Sequence, residues 1–226
     1  MTTTFRAISA VIYDMDGLLL DTESFYTEVT QRIVGRYGKT FDWSVKSQMI
    51  GRPALDSARF LVSALDLPIA PEQYLVERER LLIDRFPFAQ AMPGAERLVR
   101  HLASHHIPQA VATSSTRAFF DLKTQRHSWF DQFQYVVTGD DPAIKQGKPA
   151  PDIFLTAATR LQVPPAGCLV FEDAPSGMQA ALAAKMAVVV VPDPNMAVSN
   201  YQAAHQVLRS MADFDPEAWL LPSPIA

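Results

Sequence analysis

The chain has 226 residues and a formal net charge of −4, with 20 lysines and arginines against 24 aspartates and glutamates. This length allows one large domain or a domain with an insertion, and the acidic balance argues against electrostatic binding of nucleic acid. The longest apolar run, residues 186–191, is too short to span a bilayer. We therefore expect a protein that binds neither nucleic acid nor membranes.

A few further features of the sequence bear on the cellular compartment. The single cysteine, Cys168, excludes an internal disulfide and fits a reducing environment. The first residues, MTTTFRAIS, lead directly into an apolar run, which is not the pattern of a signal peptide. We expect a cytoplasmic protein and a monomer.

Short apolar runs without polar alternation predict strands that are covered on both faces. In chain order they are Ala10–Tyr13, Gln109–Ala112, Tyr135–Val137, Cys168–Phe171 and Ala187–Val191. Amphipathic segments predict helices at residues 95–105, 118–128, 151–161 and 176–185. Strands that alternate with helices in this way predict an α/β fold, with a Rossmann-like parallel sheet core flanked by helices.

One region departs from this alternation. Residues 22–91 contain no convincing strand, and three helices are predicted there, at residues 25–37, 54–65 and 71–86. An all-helical block inside an α/β pattern predicts an inserted cap domain. We expect residues 1–21 and 92–226 to form the core and residues 22–91 to form the cap. The final residues, 215–226, are expected to be a surface tail or a short last element.

Polar side chains follow the predicted strands where those strands end. Asp14 and Asp16 follow the first strand, Thr113 and Ser114 the second, Lys148 comes after the third, and Glu172 and Asp173 end the fourth. The carboxyl ends of parallel strands share one edge of a sheet, which is where open α/β sheets bind ligands. Carboxylate oxygens suit Mg²⁺, and backbone N–H groups at a helix start suit phosphate.

Each of these features also has an ordinary structural explanation. A D-x-D pair is often a solvated loop, a threonine or serine often caps a helix, and a lysine before a proline is often a plain loop residue. Their expected convergence at one edge favours a metal and phosphate site over a set of independent coincidences.

Four segments, DMDGLLLDTE, VATSS, GKPAPDIF and VFEDAPSG, resemble the signature motifs of the haloacid dehalogenase superfamily, in the right order and over nearly the whole chain. The helical block between the first two motifs resembles the small cap of that superfamily. The segments FPFAQAMPGAE and GDDP add a closer resemblance to the pseudouridine-5′-phosphatase branch.

The resemblance implies a role for each motif residue. Asp14 matches the nucleophile that forms an aspartyl-phosphate, and Asp16 matches the general acid and base. Thr113, Ser114 and Lys148 match the residues that hold the phosphoryl group. Metal ligands for Mg²⁺ are implied at Asp14, at the backbone carbonyl of Asp16, at Asp173, and at Glu172 directly or through water. The substrate implied is a small phosphomonoester, with pseudouridine 5′-phosphate as the first candidate.

Other functions remain open at this point. A dehalogenase is disfavoured because such enzymes need no metal and usually lack the second aspartate, here Asp16. A sugar phosphomutase keeps the same core acids, and the motifs do not exclude it. A non-catalytic binding module on this fold is disfavoured because the motif acids and Lys148 are all present. In the cap, Arg52 is a candidate contact for the polar part of the substrate, or a free surface arginine.

Overall fold

The computed structural model describes residues 7–223. Residues 1–6, to which part of the signal-peptide prediction refers, lie outside this range, as do residues 224–226. The strands are β1 (Ala10–Tyr13), β2 (Leu20–Asp21), β3 (Gln90–Ala91), β4 (Gln109–Ala112), β5 (Tyr135–Val137), β6 (Cys168–Glu172), β7 (Ala187–Val190) and β8 (Gln206–Val207). The helices are α1 (Glu23–Gly35), α2 (Trp43–Met49), α3 (Ala54–Ala64), α4 (Pro71–Ile83), α5 (Ala95–Ser104), α6 (Arg117–Thr124), α7 (Asp152–Leu161) and α8 (Pro175–Ala183).

Six of the strands form a parallel sheet in the order β5-β4-β1-β6-β7-β8. The central strand β1 is fully buried, and its residues alternate between two apolar clusters. Val11 and Tyr13 pack on the face covered by α5, whereas Ala10 and Ile12 pack on the face covered by α7 and α8. Burial on both faces explains why the strand sequences lack polar alternation. The predicted fold class is confirmed.

Helices α1 to α4 lie between β2 and β3 and have an apolar cluster of their own, which includes Ile33, Leu61, Tyr74 and Phe86. The antiparallel pair β2–β3 joins the chain where it leaves the sheet region to where it returns. This arrangement matches the expected insertion of helices, while the exact division into residues 1–21 and 92–226 against 22–91 stays a prediction.

Several short elements, among them α2, β3 and β8, differ from the sequence predictions. Helix α2 was not predicted because it is seven residues long and buries no residue fully, so it leaves no apolar period. Its start is instead set by Asp42, whose side chain accepts hydrogen bonds from the backbone of Ser44 at 2.9 Å and of Val45 at 3.3 Å. Strands β3 and β8 have only two residues each, which is too short for a strand pattern. Consequently, residues 22–91 are not purely helical.

The C-terminal segment is a short last element rather than a surface tail. Residues Glu217–Trp219 form a 3₁₀ helix, and the Trp219 ring is fully buried in the apolar cluster on the α5 face. The indole N–H donates a hydrogen bond to Gln206 at 3.0 Å. Burial of a tryptophan stabilises a fold by several kcal/mol, about 3–5 kcal/mol when judged by truncation to alanine, so this segment belongs to the core.

Candidate active site

The order of strands brings the predicted residues to one place. Strand β1 lies between β4 and β6, so the residues that follow these three strands share the carboxyl edge of the sheet. Asp14 follows β1, Thr113 follows β4, and Glu172 ends β6. This is the crevice position at which open parallel sheets bind their ligands.

Lys148 connects two of the acids. Its ammonium group forms an ion pair with Asp14 and donates hydrogen bonds to Glu172 Oε1 at 2.6 Å and to the carbonyl of Ala112 at 3.1 Å. The lysine side chain is buried, and burial alone would favour its neutral form. The two carboxylates outweigh that effect and raise the pKa of Lys148, so it carries a positive charge at neutral pH.

Asp173, the third acid, differs from Asp14 and Glu172 in its hydrogen bonds. Glu172 Oε2 accepts hydrogen bonds from the backbone N–H groups of Asp173 at 3.0 Å and Ala174 at 3.1 Å. No hydrogen bond to the Asp173 carboxylate is found among residues 7–223. One oxygen from each of Asp14, Glu172 and Asp173 lies within 4.8 Å of the others, which is the spacing of a group that could hold a metal ion.

The electrostatics of this cluster favour a bound cation. Burial, together with the charges of Glu172 and Asp16, raises the pKa of Asp14 to about 7, although Lys148 opposes the shift. Burial and the neighbouring charges of Glu172 and Asp14 raise the pKa of Asp173 well above its ordinary value. Three carboxylates face a single lysine here, so the ionised cluster carries an excess negative charge that a divalent cation would offset.

The turn after β1 is shaped to fit this cluster. Gly17 has a φ of +79°, and a Cβ atom at that position would lie 2.6 Å from Asp173 Oδ2. Gly177 in α8 is equally constrained, because a Cβ atom there would overlap the Glu172 carboxylate. Because glycine has no Cβ atom, these two positions leave space for the carboxylates of Asp173 and Glu172.

Asp16 lies in a separate hydrogen-bond network. Its carboxylate accepts hydrogen bonds from the hydroxyl of Thr22 at 2.6 Å and the hydroxyl of Ser115 at 2.8 Å, and it forms a 2.6 Å ion pair with Lys123. Burial raises the pKa of Asp16, but the charge of Lys123 and these hydrogen bonds outweigh burial and bring the pKa below 3.8. The Asp16 side chain is not part of the three-carboxylate cluster, so a role in metal binding would depend on its backbone carbonyl, as the resemblance implies.

The two predicted phosphate-binding residues lie beside this network. The Thr113 hydroxyl is buried, accepts a hydrogen bond from the backbone of Ser115 at 3.1 Å and is 3.4 Å from Asp16 Oδ2. Ser114 is exposed to the cavity above the acids. The structure thus brings Thr113 and Ser114 to the edge that holds Asp14 and Lys148, as the sequence predicts.

A cavity of about 660 Å³ opens above these acids and is lined from the other side by the helices inserted between β2 and β3. That volume falls within the usual range for small-molecule pockets. Arg52 lines this cavity, and its guanidinium lies 4.8 Å from the centre of the Phe60 ring. Arg52 therefore lies near the site but contacts none of the acids, and its role as a substrate contact stays a prediction.

Sequence reasoning missed three residues around the site: Thr22, Lys123 and Arg78. Thr22 donates a hydrogen bond to Asp16, and Lys123 pairs with Asp16 and contacts Ser115, a residue of the VATSS motif. Arg78 lines the cavity between the rings of Tyr26 and Tyr74. Arg78 Nε is buried and has no hydrogen-bond partner among the described residues. Lys123 had a detectable signal, because it lies three residues after Phe120 and thus on the buried face of its helix.

Among residues 7–223, no helix combines the length and the apolar composition needed to cross a bilayer.

Comparisons with known proteins place the chain among hydrolases and phosphatases. Residues 11–191 match the model of the family described as haloacid dehalogenase-like hydrolase. The chain is 53% identical over 96% of its length to (DL)-glycerol-3-phosphatase 1, mitochondrial, of Arabidopsis thaliana, and covers 75% of that protein. It is 46% identical to the probable pseudouridine-5′-phosphatase of Drosophila melanogaster, over 96% of both chains.

The fold also matches solved structures. One is a HAD family hydrolase from Deinococcus radiodurans, solved with bound phosphate and sodium, with a TM-score of 0.79 and 25% identity. The alignment covers 97% of this chain and all of the other chain. The resemblance in the four sequence motifs is thus confirmed: the chain belongs to the haloacid dehalogenase-like hydrolase family and is a hydrolase of phosphomonoesters.

Proposed function

We propose that the protein is a Mg²⁺-dependent phosphatase that hydrolyses a small phosphomonoester through an aspartyl-phosphate on Asp14. The observation that carries the proposal is the position of Asp14. Its carboxylate lies at the carboxyl end of the central strand, forms an ion pair with Lys148, and faces the cavity together with Glu172 and Asp173.

In the first step, an Asp14 oxygen forms a bond to phosphorus while the bond between phosphorus and the ester oxygen breaks. Lys123 keeps the Asp16 carboxylate ionised before substrate binds, so Asp16 must first take up a proton from solvent. It then gives this proton to the leaving oxygen, which departs as an alcohol. In the second step, water attacks phosphorus, the bond to Asp14 breaks, and the water proton passes to Asp16. Inorganic phosphate leaves, and both carboxyl groups return to their starting states.

The remaining site residues offset the charge of the phosphoryl group and orient it. Lys148 lies against Asp14 and offsets the negative charge of the transferring group. The backbone after Thr113 and the hydroxyl of Ser114 lie at the same edge, which supports a role for them in binding the phosphoryl oxygens.

Asp14, Glu172 and Asp173 fit a magnesium ion, together with the carbonyl of Asp16. Asp173 supports this fit because its carboxylate lacks a hydrogen-bond donor among the described residues, while Glu172 is already held by Lys148 and two backbone N–H groups. Bound Mg²⁺ would neutralise charge on the phosphoryl group, which is the main requirement of this reaction.

Two phosphomonoesters are the leading candidate substrates. The sequence motifs favour pseudouridine 5′-phosphate, and the name of the Arabidopsis relative favours glycerol 3-phosphate. The cavity lining contains cations that could bind the hydroxyl groups of either molecule, namely Arg52 and Arg78. Arg78 is the better candidate for a polar substrate contact, because its buried Nε has no hydrogen-bond partner within residues 7–223.

The test is phosphate release from these two compounds by the wild-type protein, with magnesium chloride and with EDTA. We expect release with magnesium and its loss with EDTA. Asp14→Asn should lower kcat by at least about 10³-fold because it removes the nucleophile. Asp56→Asn, which removes an exposed carboxylate on α3, is the matched control.

Other results would refute the proposal. Phosphate release by Asp14→Asn at the wild-type rate would show that the nucleophile is wrong. Conversion of β-glucose 1-phosphate to glucose 6-phosphate, with no free phosphate, would show a phosphomutase. No turnover of any monoester would favour a binding module.

The cytoplasmic location, the monomeric state and the absence of nucleic-acid and membrane partners remain predictions. Gel filtration with light scattering of the purified protein measures its oligomeric state directly, and a mass of one chain is the expected result.

A further inference from the structure

Lys123 is a fully buried cation that lies outside the expected phosphatase motifs. It lies near the end of α6, and its side chain has no exposed surface. Its ammonium nitrogen is 2.6 Å from Asp16 Oδ1 and 2.8 Å from the hydroxyl of Ser115, which in turn donates to Asp16 Oδ2. Both oxygens of Asp16 are therefore held: Oδ1 by the lysine and by the hydroxyl of Thr22, and Oδ2 through the serine.

Aromatic rings from the helical insertion enclose the other side of this ammonium group. The nitrogen lies 4.3 Å from the centre of the Phe86 ring and 5.7 Å from that of Tyr26. Lys123 is not among the residues that line the cavity, whereas Asp16 is. The lysine thus acts on Asp16 and has no path of its own to a substrate.

Stability alone does not explain the buried ion pair between Lys123 and Asp16. Removing a lysine and a carboxylate from water costs several kcal/mol per ion, and apolar residues of similar size often serve stability as well or better. A buried pair does, however, fix the direction of a carboxylate, because rotation of the group would break its hydrogen bonds to the lysine and the serine.

We infer that Lys123 is a positioning residue that, with Ser115, holds the Asp16 carboxylate in the orientation needed to pass a proton to the leaving oxygen. The inference rests on the proposed function, in which Asp16 is the general acid and base. It assigns a part in the reaction to a residue that never touches the substrate.

A comparison of leaving groups separates this role from a purely structural one. The variant is Lys123→Met, which keeps most of the length of the side chain and removes the charge. The measurement is single-turnover release of the alcohol from glycerol 3-phosphate and from p-nitrophenyl phosphate. Glycerol departs only with a proton, whereas p-nitrophenolate is stable without one. We expect a loss of about 100-fold with glycerol 3-phosphate and of less than about 5-fold with p-nitrophenyl phosphate.

A double-mutant cycle tests whether the effect passes through Asp16. In the Asp16→Asn background there is no proton donor left to position, so Lys123→Met should lower the glycerol 3-phosphate rate by less than about 3-fold further. The double variant also replaces the ion pair with two neutral groups, which guards against failure of the single variant to fold. Circular dichroism and thermal unfolding check each protein, and Lys145→Met, at an exposed lysine, is the matched charge control.

The outcomes are distinct. Equal losses with the two esters, or the full 100-fold loss retained in the Asp16→Asn background, would overturn the positioning role while the wild-type protein remained a phosphatase. Failure of the proposed function would look different, because the wild-type protein would then release no phosphate with magnesium or Asp14→Asn would stay active.

Discussion

The raised pKa of Asp14 makes the stability of the metal-free protein depend on pH, and Asp14→Asn isolates that dependence. The native pKa of about 7 exceeds the ordinary value of 3.8, so the folded state binds more protons than the unfolded state between these two values. The contribution of Asp14 to the free energy of unfolding is therefore fully present below pH 3.8 and is lost as the pH rises through 7. Asparagine stays neutral throughout and has no such loss.

The size of the effect follows from the same two values. Each pH unit across that range is worth about 1.4 kcal/mol, so the whole shift corresponds to about 4 kcal/mol. Between pH 5 and pH 8, the portion lost by the wild-type protein is about 2.5 kcal/mol. We therefore expect the free energy of unfolding of Asp14→Asn, relative to wild type, to rise by about that amount from pH 5 to pH 8.

Urea unfolding in EDTA, followed by circular dichroism at both pH values, measures this difference. The control is Asp56→Asn, expected to change stability by less than about 0.5 kcal/mol at either pH. A gap between Asp14→Asn and wild type that is the same at both pH values would refute the electrostatic reasoning.

Further variants test other parts of the site. Lys148→Met leaves two buried carboxylates without their cation, so we expect urea unfolding to show a loss of about 3–5 kcal/mol; a loss below 1 kcal/mol would contradict the network. Asp173→Asn removes a proposed ligand, so the magnesium concentration for half-maximal activity should rise at least about 10-fold in a titration with magnesium chloride, and an unchanged midpoint would exclude that role. Arg78→Met removes a proposed substrate contact and should raise KM about 10-fold with kcat within about 2-fold; steady-state kinetics that show only a fall in kcat would contradict this.

The sheet could be predicted from the sequence because its four inner strands, β4, β1, β6 and β7, are buried on both faces. Strands β1, β4 and β5 have the predicted bounds, since each is a short apolar run that ends at a polar residue. The convergence of Asp14, Thr113 and Glu172 then followed from parallel topology alone. Short elements such as α2 and β8 could not be predicted, because their positions depend on caps and on pairing with distant residues.

The surroundings of Asp16 were beyond sequence reasoning for a different reason. Its partners Thr22 and Lys123 lie 6 and 107 residues away along the chain, and no spacing rule links a helical lysine to a carboxylate after another strand. The residue types Glu172 and Lys148 could be predicted, but the ion pair that Lys148 forms with Glu172, in addition to its pair with Asp14, could not. Only the folded structure shows which acids pair with Lys123 and which with Lys148.

The central claim is that Asp14 receives the phosphoryl group, and direct identification of the modified residue tests it best. The magnesium-loaded protein is mixed with p-nitrophenyl phosphate, quenched during the first turnover and treated with borohydride, which reduces an aspartyl-phosphate to homoserine. Peptide mass spectrometry should then find homoserine at position 14. Homoserine at another position, with aspartate intact at position 14, would contradict the account.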